Sequence, residues 1–242
     1  MDIKNTVAIV TGASAGIGLA TARKLAAGGA KVALAARNKE KLEALAKELI
    51  ASGVEALVIV TDMRDRAQVK RMVDETFRHF GRVDILVNNA GQGMAGLVER
   101  ASMDDYQKIF ELNVLGPVLA MQAAVPLMQK GGGGMIVNVS SMVTKMHIHG
   151  LSMYASTKAA LNMISETARA ELAPYKIKVA TVFPRMTGTD FGKNSIGNSE
   201  LRQQQRSAAA GAGSIPVDSA ELVAEKILRA IETEAEEQYM DR

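Results

Sequence analysis

Cysteine is absent from all 242 residues, and tryptophan with it. Without thiols there is no disulfide framework and no thiolate-ligated metal. The chain fits a reducing compartment, with the cytoplasm as the default location. Aromatic residues make up only 4%, so the core has to be built largely from aliphatic and methionine side chains. Neither charge dominates: 29 Lys and Arg against 26 Asp and Glu leave a net +3. No run of basic residues could track a phosphate backbone, and a nucleic-acid partner is not expected. Long apolar runs are missing as well. The first, Val7–Val10, is far too short to span a bilayer and has no signal peptide before it. No other segment approaches the ~20 apolar residues of a transmembrane helix, so no membrane is expected either.

What is present is alternation. Short β-branched runs at Val7–Val10, Lys31–Ala35, Ala56–Val60, Asp84–Asn88, Met135–Val139 and Lys178–Phe183 read as strands. Between them lie stretches with apolar residues at helical spacing. Asn38 caps one such helix, with Leu42, Leu45 and Leu49 on its inner face. Asp104–Gln129 reads as one long helical stretch, bent or divided by Pro117 and Pro126. Asp218 is expected to cap a last helix running to Glu234, and Gln238–Met240 to form a short edge strand. The pattern predicts an α/β fold: a Rossmann-like, doubly wound parallel sheet of six to seven strands with helices on both faces. It also predicts one domain over residues 1–242. Residues 187–213, with Gly, Asn, Ser and Gln in weak periodicity, read as a mobile substrate flap.

The chemistry of such a sheet lies beyond the carboxyl ends of its strands. There the first strand runs into Thr11-Gly12-Ala13-Ser14-Ala15-Gly16-Ile17-Gly18. Small residues let the backbone turn sharply and approach a pyrophosphate, and the following helix offers free N–H groups and a positive dipole end. A dinucleotide is the expected ligand, with Gly12, Ser14, Ala15, Gly16, Ile17 and Gly18 as its contacts. After the second strand, where a carboxylate would receive the ribose hydroxyls of NAD, the chain has Ala36-Arg37-Asn38. Arg37 can pair with a 2′-phosphate, which favours NADP(H) over NAD(H).

These motifs, together with Asn88-Asn89-Ala90-Gly91, Asn113, Ser140-Ser141 and Tyr154-x-x-x-Lys158 in that order, strongly resemble the short-chain dehydrogenase/reductase family over nearly the whole chain. The resemblance implies an oxidoreductase that moves hydride between NADP(H) and the carbonyl or secondary-alcohol carbon of a small-molecule substrate. It implies a catalytic tetrad of Asn113, Ser141, Tyr154 and Lys158, with Ser140 as the fallback for Ser141. It places Asp62 at the adenine amine, the Met63 backbone beside it, and Asn89, Ala90 and Gly91 along the adenosine. Pro184, Thr187 and Thr189 fall near the nicotinamide, which Tyr154 and Lys158 also meet, and Asn113 would hold a water. A homodimer or homotetramer is implied.

Lys158 lies one helical turn from Tyr154, so its charge should lower a phenol pKa that is otherwise near ~10. Tyr154 would then give or take the proton, with Ser141 on the same substrate oxygen. Three departures stand out. Arg185 replaces the glycine expected after Pro184, Thr187 takes a place often apolar, and Ala15 replaces a basic residue common in NADP-binding members. Arg185 could hold a substrate carboxylate, a cofactor phosphate or a flap residue. Met94, Val143 and Met146 are candidate pocket residues for an apolar substrate. No convincing metal-ligand set is visible, and His147 and His149 are better read as exposed loop residues. A 3-oxoacyl-thioester reductase and a non-catalytic NADP-binding sensor or scaffold stay open as alternatives.

Overall fold

A computed structural model describes residues 1–198, 201 and 217–240. Its frame is a seven-stranded parallel sheet in the order β3-β2-β1-β4-β6-β7-β9. The strands are β1 (Val7–Thr11), β2 (Lys31–Ala36), β3 (Ala56–Val60), β4 (Ile85–Asn88), β6 (Gly134–Val139), β7 (Ile177–Phe183) and β9 (Glu237–Tyr239). Two further strands, β5 (Met94–Ala95) and β8 (Ile196–Gly197), pair with each other outside it. The β-branched runs form the sheet because both of its faces are covered. Ala8 and Val10 point into one apolar layer and Ile9 into the other, the period of two that a strand imposes.

The first layer packs α1 (Gly16–Ala27), α2 (Lys39–Ala51) and the last helix, α7 (Ala220–Thr233), on the sheet. Leu25, Leu42, Leu45, Val223 and Ile227 are fully buried there or nearly so. The second layer holds α3 (Arg66–Phe80), α5 (Gly116–Lys130) and α6 (Ser152–Leu172). Asn38 caps α2 as the sequence predicts, accepting from the Lys41 amide at 2.8 Å. The expected edge strand is present as β9, which pairs in parallel with β7.

The long helical stretch is divided, but not by a proline alone. Helix α4 (Met103–Phe110) passes into a π turn at Glu111–Leu115, and α5 starts at Gly116. Pro117 lies just past the π turn, at the first positions of α5, and the helical backbone runs on through it. Pro126 lies inside α5 without ending it. Contrary to the expectation from the sequence, Met103–Lys130 is long and apolar enough to meet the criterion for crossing a bilayer. In the fold its apolar side chains serve another purpose: Ile109, Ala120, Ala124 and Met128 are completely buried, the last three against the sheet.

Candidate active site

The carboxyl ends of β1, β4, β6 and β7 meet along one edge of the sheet. At the end of β1 the chain turns through Gly12 (φ +68°) and Gly16 (φ +53°), a region that glycine enters without strain. Gly18 is needed for close approach. A β-carbon there would lie 2.3 Å from the Gly12 carbonyl oxygen and 2.5 Å from Asn89 Nδ2. Thr11 ties this loop to the next strand: its Oγ1 accepts from the amides of Asn89 (2.9 Å) and Ala90 (3.0 Å), and Asn89 Nδ2 donates to the Thr11 carbonyl at 2.8 Å. No side chain caps the start of α1, and its first turn carries no acid. Its terminal N–H groups therefore face the turn as a cradle for an anion.

Tyr154 and Lys158 project from α6 into the same edge and are buried, as is Asn113. Ser141 lies beside the Tyr154 phenol and acts on it, and its Oγ accepts from the Val143 amide at 3.2 Å. Ser140 is turned away and bonds to Asn162, so of the two serines it is Ser141 that meets the tyrosine. Lys158 donates from Nζ to the Val139 carbonyl at 2.8 Å, at the very end of β6. Asn113, in the π turn, clamps the loop after β4. Its Oδ1 accepts from the Gln92 amide (2.9 Å), and its Nδ2 donates to the Gln92 carbonyl (2.9 Å) and to Thr157 Oγ1 (3.0 Å). Both amide hydrogens are thus spent on joining that loop to α6. The role this geometry gives Asn113 is positioning, and a π turn at such a place is a recurrent device.

Just after β2, Arg37 is exposed. Asp62 is gripped by a residue that the sequence reading missed: Arg64 donates to it from Nε at 3.0 Å and Nη2 at 2.6 Å. That guanidinium, with a smaller contribution from Arg37, holds the Asp62 carboxyl below its usual range. The Met63 side chain is buried in the core, which leaves only its backbone for a ligand.

The model of a known family, described as short chain dehydrogenase, matches residues 6–199. The chain belongs to the short-chain dehydrogenase/reductase family. An uncharacterized oxidoreductase of Methylorubrum extorquens is 40% identical over 189 residues, which cover 78% of this chain and 75% of that protein. A 3-oxoacyl-[acyl-carrier-protein] reductase of Synechocystis is 36% identical over 189 residues, 78% of this chain and 76% of the relative. Among solved structures, a short chain dehydrogenase/reductase from Burkholderia phymatum in complex with NAD superposes with a TM-score of 0.91 at 25% identity, covering 99% of this chain and 90% of that one. The protein is therefore a dehydrogenase/reductase that uses a nicotinamide cofactor. The uncapped start of α1 and the space that Gly18 keeps clear fit the diphosphate of that cofactor.

In this short-chain dehydrogenase, burial decides the protonation of the central pair. It pushes the Tyr154 phenol up to about 12, and Ser141 beside it offsets only part of that. It also holds Lys158 down at about 8. The phenol thus lies above its ordinary value rather than below it as expected, because desolvation is the largest influence on it. The lysine shift has a thermodynamic consequence. Between about 8 and the unfolded value of ~10.4, unfolded chains bind more protons at this site than folded ones, so stability rises with pH. Urea denaturation of the wild type and Lys158→Met, at about pH 7.5 and about pH 9.5, should show the wild type gaining ~2 kcal/mol on the variant at the higher pH. A gain at the lower pH would contradict the burial argument.

The substrate side of the enzyme departs from the sequence reading in two places. Asp218 does not cap α7: Ser219 does, accepting from the Leu222 amide at 3.1 Å. The Asp218 carboxylate instead receives Arg185, from Nε at 3.1 Å and Nη2 at 2.7 Å. Asp218 is none of the three partners considered for Arg185, since it lies beyond residues 187–213. Met94 and Val143 are buried in a small cluster with Tyr154 and Ile109, whereas Met146 is exposed. Met94 also lines a separate cavity of about 400 Å³ with Arg100 and Asp105, which contains none of the tetrad. Phe191, which no periodicity marks in the sequence, lies with its ring 5.8 Å from that of Tyr154. Of the expected flap, residues 199, 200 and 202–213 lie outside the described residues.

Proposed function

We propose that this enzyme reduces a small, mostly apolar ketone, or oxidises the corresponding secondary alcohol, with NADP(H), and that Tyr154 is its proton donor and acceptor. We place it in the cytoplasm as a homodimer or homotetramer, with cofactor and substrate sites in one unit. The observation that carries the reading is the buried pair on α6, Tyr154 beside Ser141 and Lys158 one helical turn behind it, bonded at 2.8 Å to the Val139 carbonyl at the end of β6. When bound, the nicotinamide ring supplies or accepts the hydride. In reduction Tyr154 gives its phenolic proton to the carbonyl oxygen as negative charge develops there, and Ser141 donates a hydrogen bond to the same oxygen. Lys158, whose pKa of about 8 lets it exchange a proton near neutrality, favours the tyrosinate that remains. In alcohol oxidation the same atoms run in reverse.

The apolar cluster of Met94, Ile109 and Val143 around Tyr154 supports an apolar substrate. NADP(H) is favoured by Arg37 and by the absence of an acid at the end of β2. A screen of ketones and alcohols with NADPH and NADH in parallel tests the reading, and a tenfold preference for NADH would overturn its cofactor half. Arg37→Asp should weaken NADPH by ~10- to 100-fold, the worth of a charge-assisted pair, and leave NADH unchanged or tighter. Equal losses for both cofactors would count against a phosphate contact. The Synechocystis relative supports a second reading, a 3-oxoacyl-thioester reductase. Acetoacetyl-CoA in the same screen separates the two, by turning over either faster or slower than the small ketones.

A further inference from the structure

We propose that Arg185 and Asp218 form a latch that holds the chain at residues 187–198, here the arm, in place and thereby sets the cofactor and substrate affinity of the site. The proposal rests on the reading of this cleft as the cofactor site.

Asp218 is buried, and its side chain and backbone together grip three of the four residues from 185 to 188. Its carboxylate takes the guanidinium of Arg185 in a two-point fork. Its amide donates to the Met186 carbonyl at 2.8 Å, and its carbonyl accepts from the Gly188 amide at 2.9 Å. Thr187 and Asp218 form a parallel bridge at the same point. Residues 185–188 are therefore fastened before the chain enters the cleft at Thr189. From there the arm reaches both halves of the site. A β-carbon on Gly16 of the glycine loop would lie 3.0 Å from Thr189 Cγ2. Phe191 tilts against the Tyr154 ring, and Ile196 and Gly197 pair with Met94 and Ala95 as β8 and β5.

A glycine at 185 would leave the Asp218 carboxylate, 3% exposed, without this cation, which buried carboxylates tolerate poorly. Arg185 is thus a positioning residue: through Asp218 it holds the strand of chain that reaches Tyr154 and the glycine loop. A flexible loop root would spread Thr189 and Phe191 over many positions, and each binding event would then have to order them.

The test uses the full-length protein with Arg185→Gly, and Asp218→Asn as a second variant should the first not fold. Hydrogen exchange is read separately for residues 187–198 and for β6, and NADPH and NADH are titrated by fluorescence. The latch predicts exchange at 187–198 at least tenfold faster with β6 unchanged, an NADPH Kd at least tenfold higher, and kcat falling less than the affinity does. Unchanged exchange at 187–198 in a folded variant overturns the latch. So does a uniform acceleration that includes β6, which is what a merely structural ion pair would give. If the wild type binds neither cofactor, the cofactor reading fails, while the exchange data still decide whether the ion pair holds the arm.

Discussion

Tyr154→Phe is expected to lower kcat by ~10²- to 10⁴-fold, the range in which a positioned acid or base contributes. The dissociation constant for NADPH should move by no more than about twofold, because loss of a transition-state interaction leaves ground-state binding alone. The substitution removes one oxygen and keeps the ring, so the contact with Phe191 and the small apolar cluster around Met94 and Val143 persist and folding is preserved. Steady-state rates and a fluorescence titration on the same preparation check both halves. A variant that retains a tenth of the wild-type rate would remove Tyr154 from the chemistry.

Gly18→Ala is the second large effect. Its β-carbon would stand 2.3 Å from a backbone oxygen, that of Gly12, and 2.5 Å from Asn89 Nδ2. The first is backbone and cannot rotate out of the way, and moving the second would break its 2.8 Å bond to the Thr11 carbonyl. The first turn of α1 has to move away from the β1 loop, and overpacking of this kind costs ~1–3 kcal/mol or more. The same movement spoils the cradle at the start of α1, so NADPH affinity should fall by more than ~100-fold, in line with the loss of several charge-assisted hydrogen bonds. Gly131→Ala is the control: its nearest neighbour would be the Met128 carbonyl at an ordinary 3.4 Å, and its φ of −78° suits any residue. Thermal melts and NADPH titration of the two variants should differ sharply, and equal behaviour would contradict the close-packing argument.

The sheet was legible in the sequence because burial on both faces demands unbroken β-branched runs. Val7–Val10 and Met135–Val139 differ from the observed β1 and β6 by one residue each. Asn38 was readable as a cap because its acceptor serves its own helix. The π turn at Glu111–Leu115 was not readable, since such a turn is set by what packs against it, here Gln92 and Thr157 through Asn113. Asp218 and Ser219 are equally good caps in sequence. Arg185, thirty-three positions away, decides between them by claiming the aspartate. Strands of two residues, as in β5 and β8, carry no period at all. Phe191 stands alone in a polar stretch with no helical or strand partner to mark it. The phenol pKa was misjudged for a related reason: the neighbouring lysine is visible in the sequence, but the depth at which both are buried is not.

The most direct measurement of the proposed chemistry is a crystal structure of the enzyme with NADPH and an unreactive ketone analogue. The arrangement predicts the Tyr154 hydroxyl at ~2.6–3.2 Å from the analogue's oxygen, Ser141 on that same oxygen, and the dinucleotide phosphates against the start of α1. A hydroxyl turned out of the cleft, or a dinucleotide seated anywhere other than across Gly12–Gly18, would contradict it.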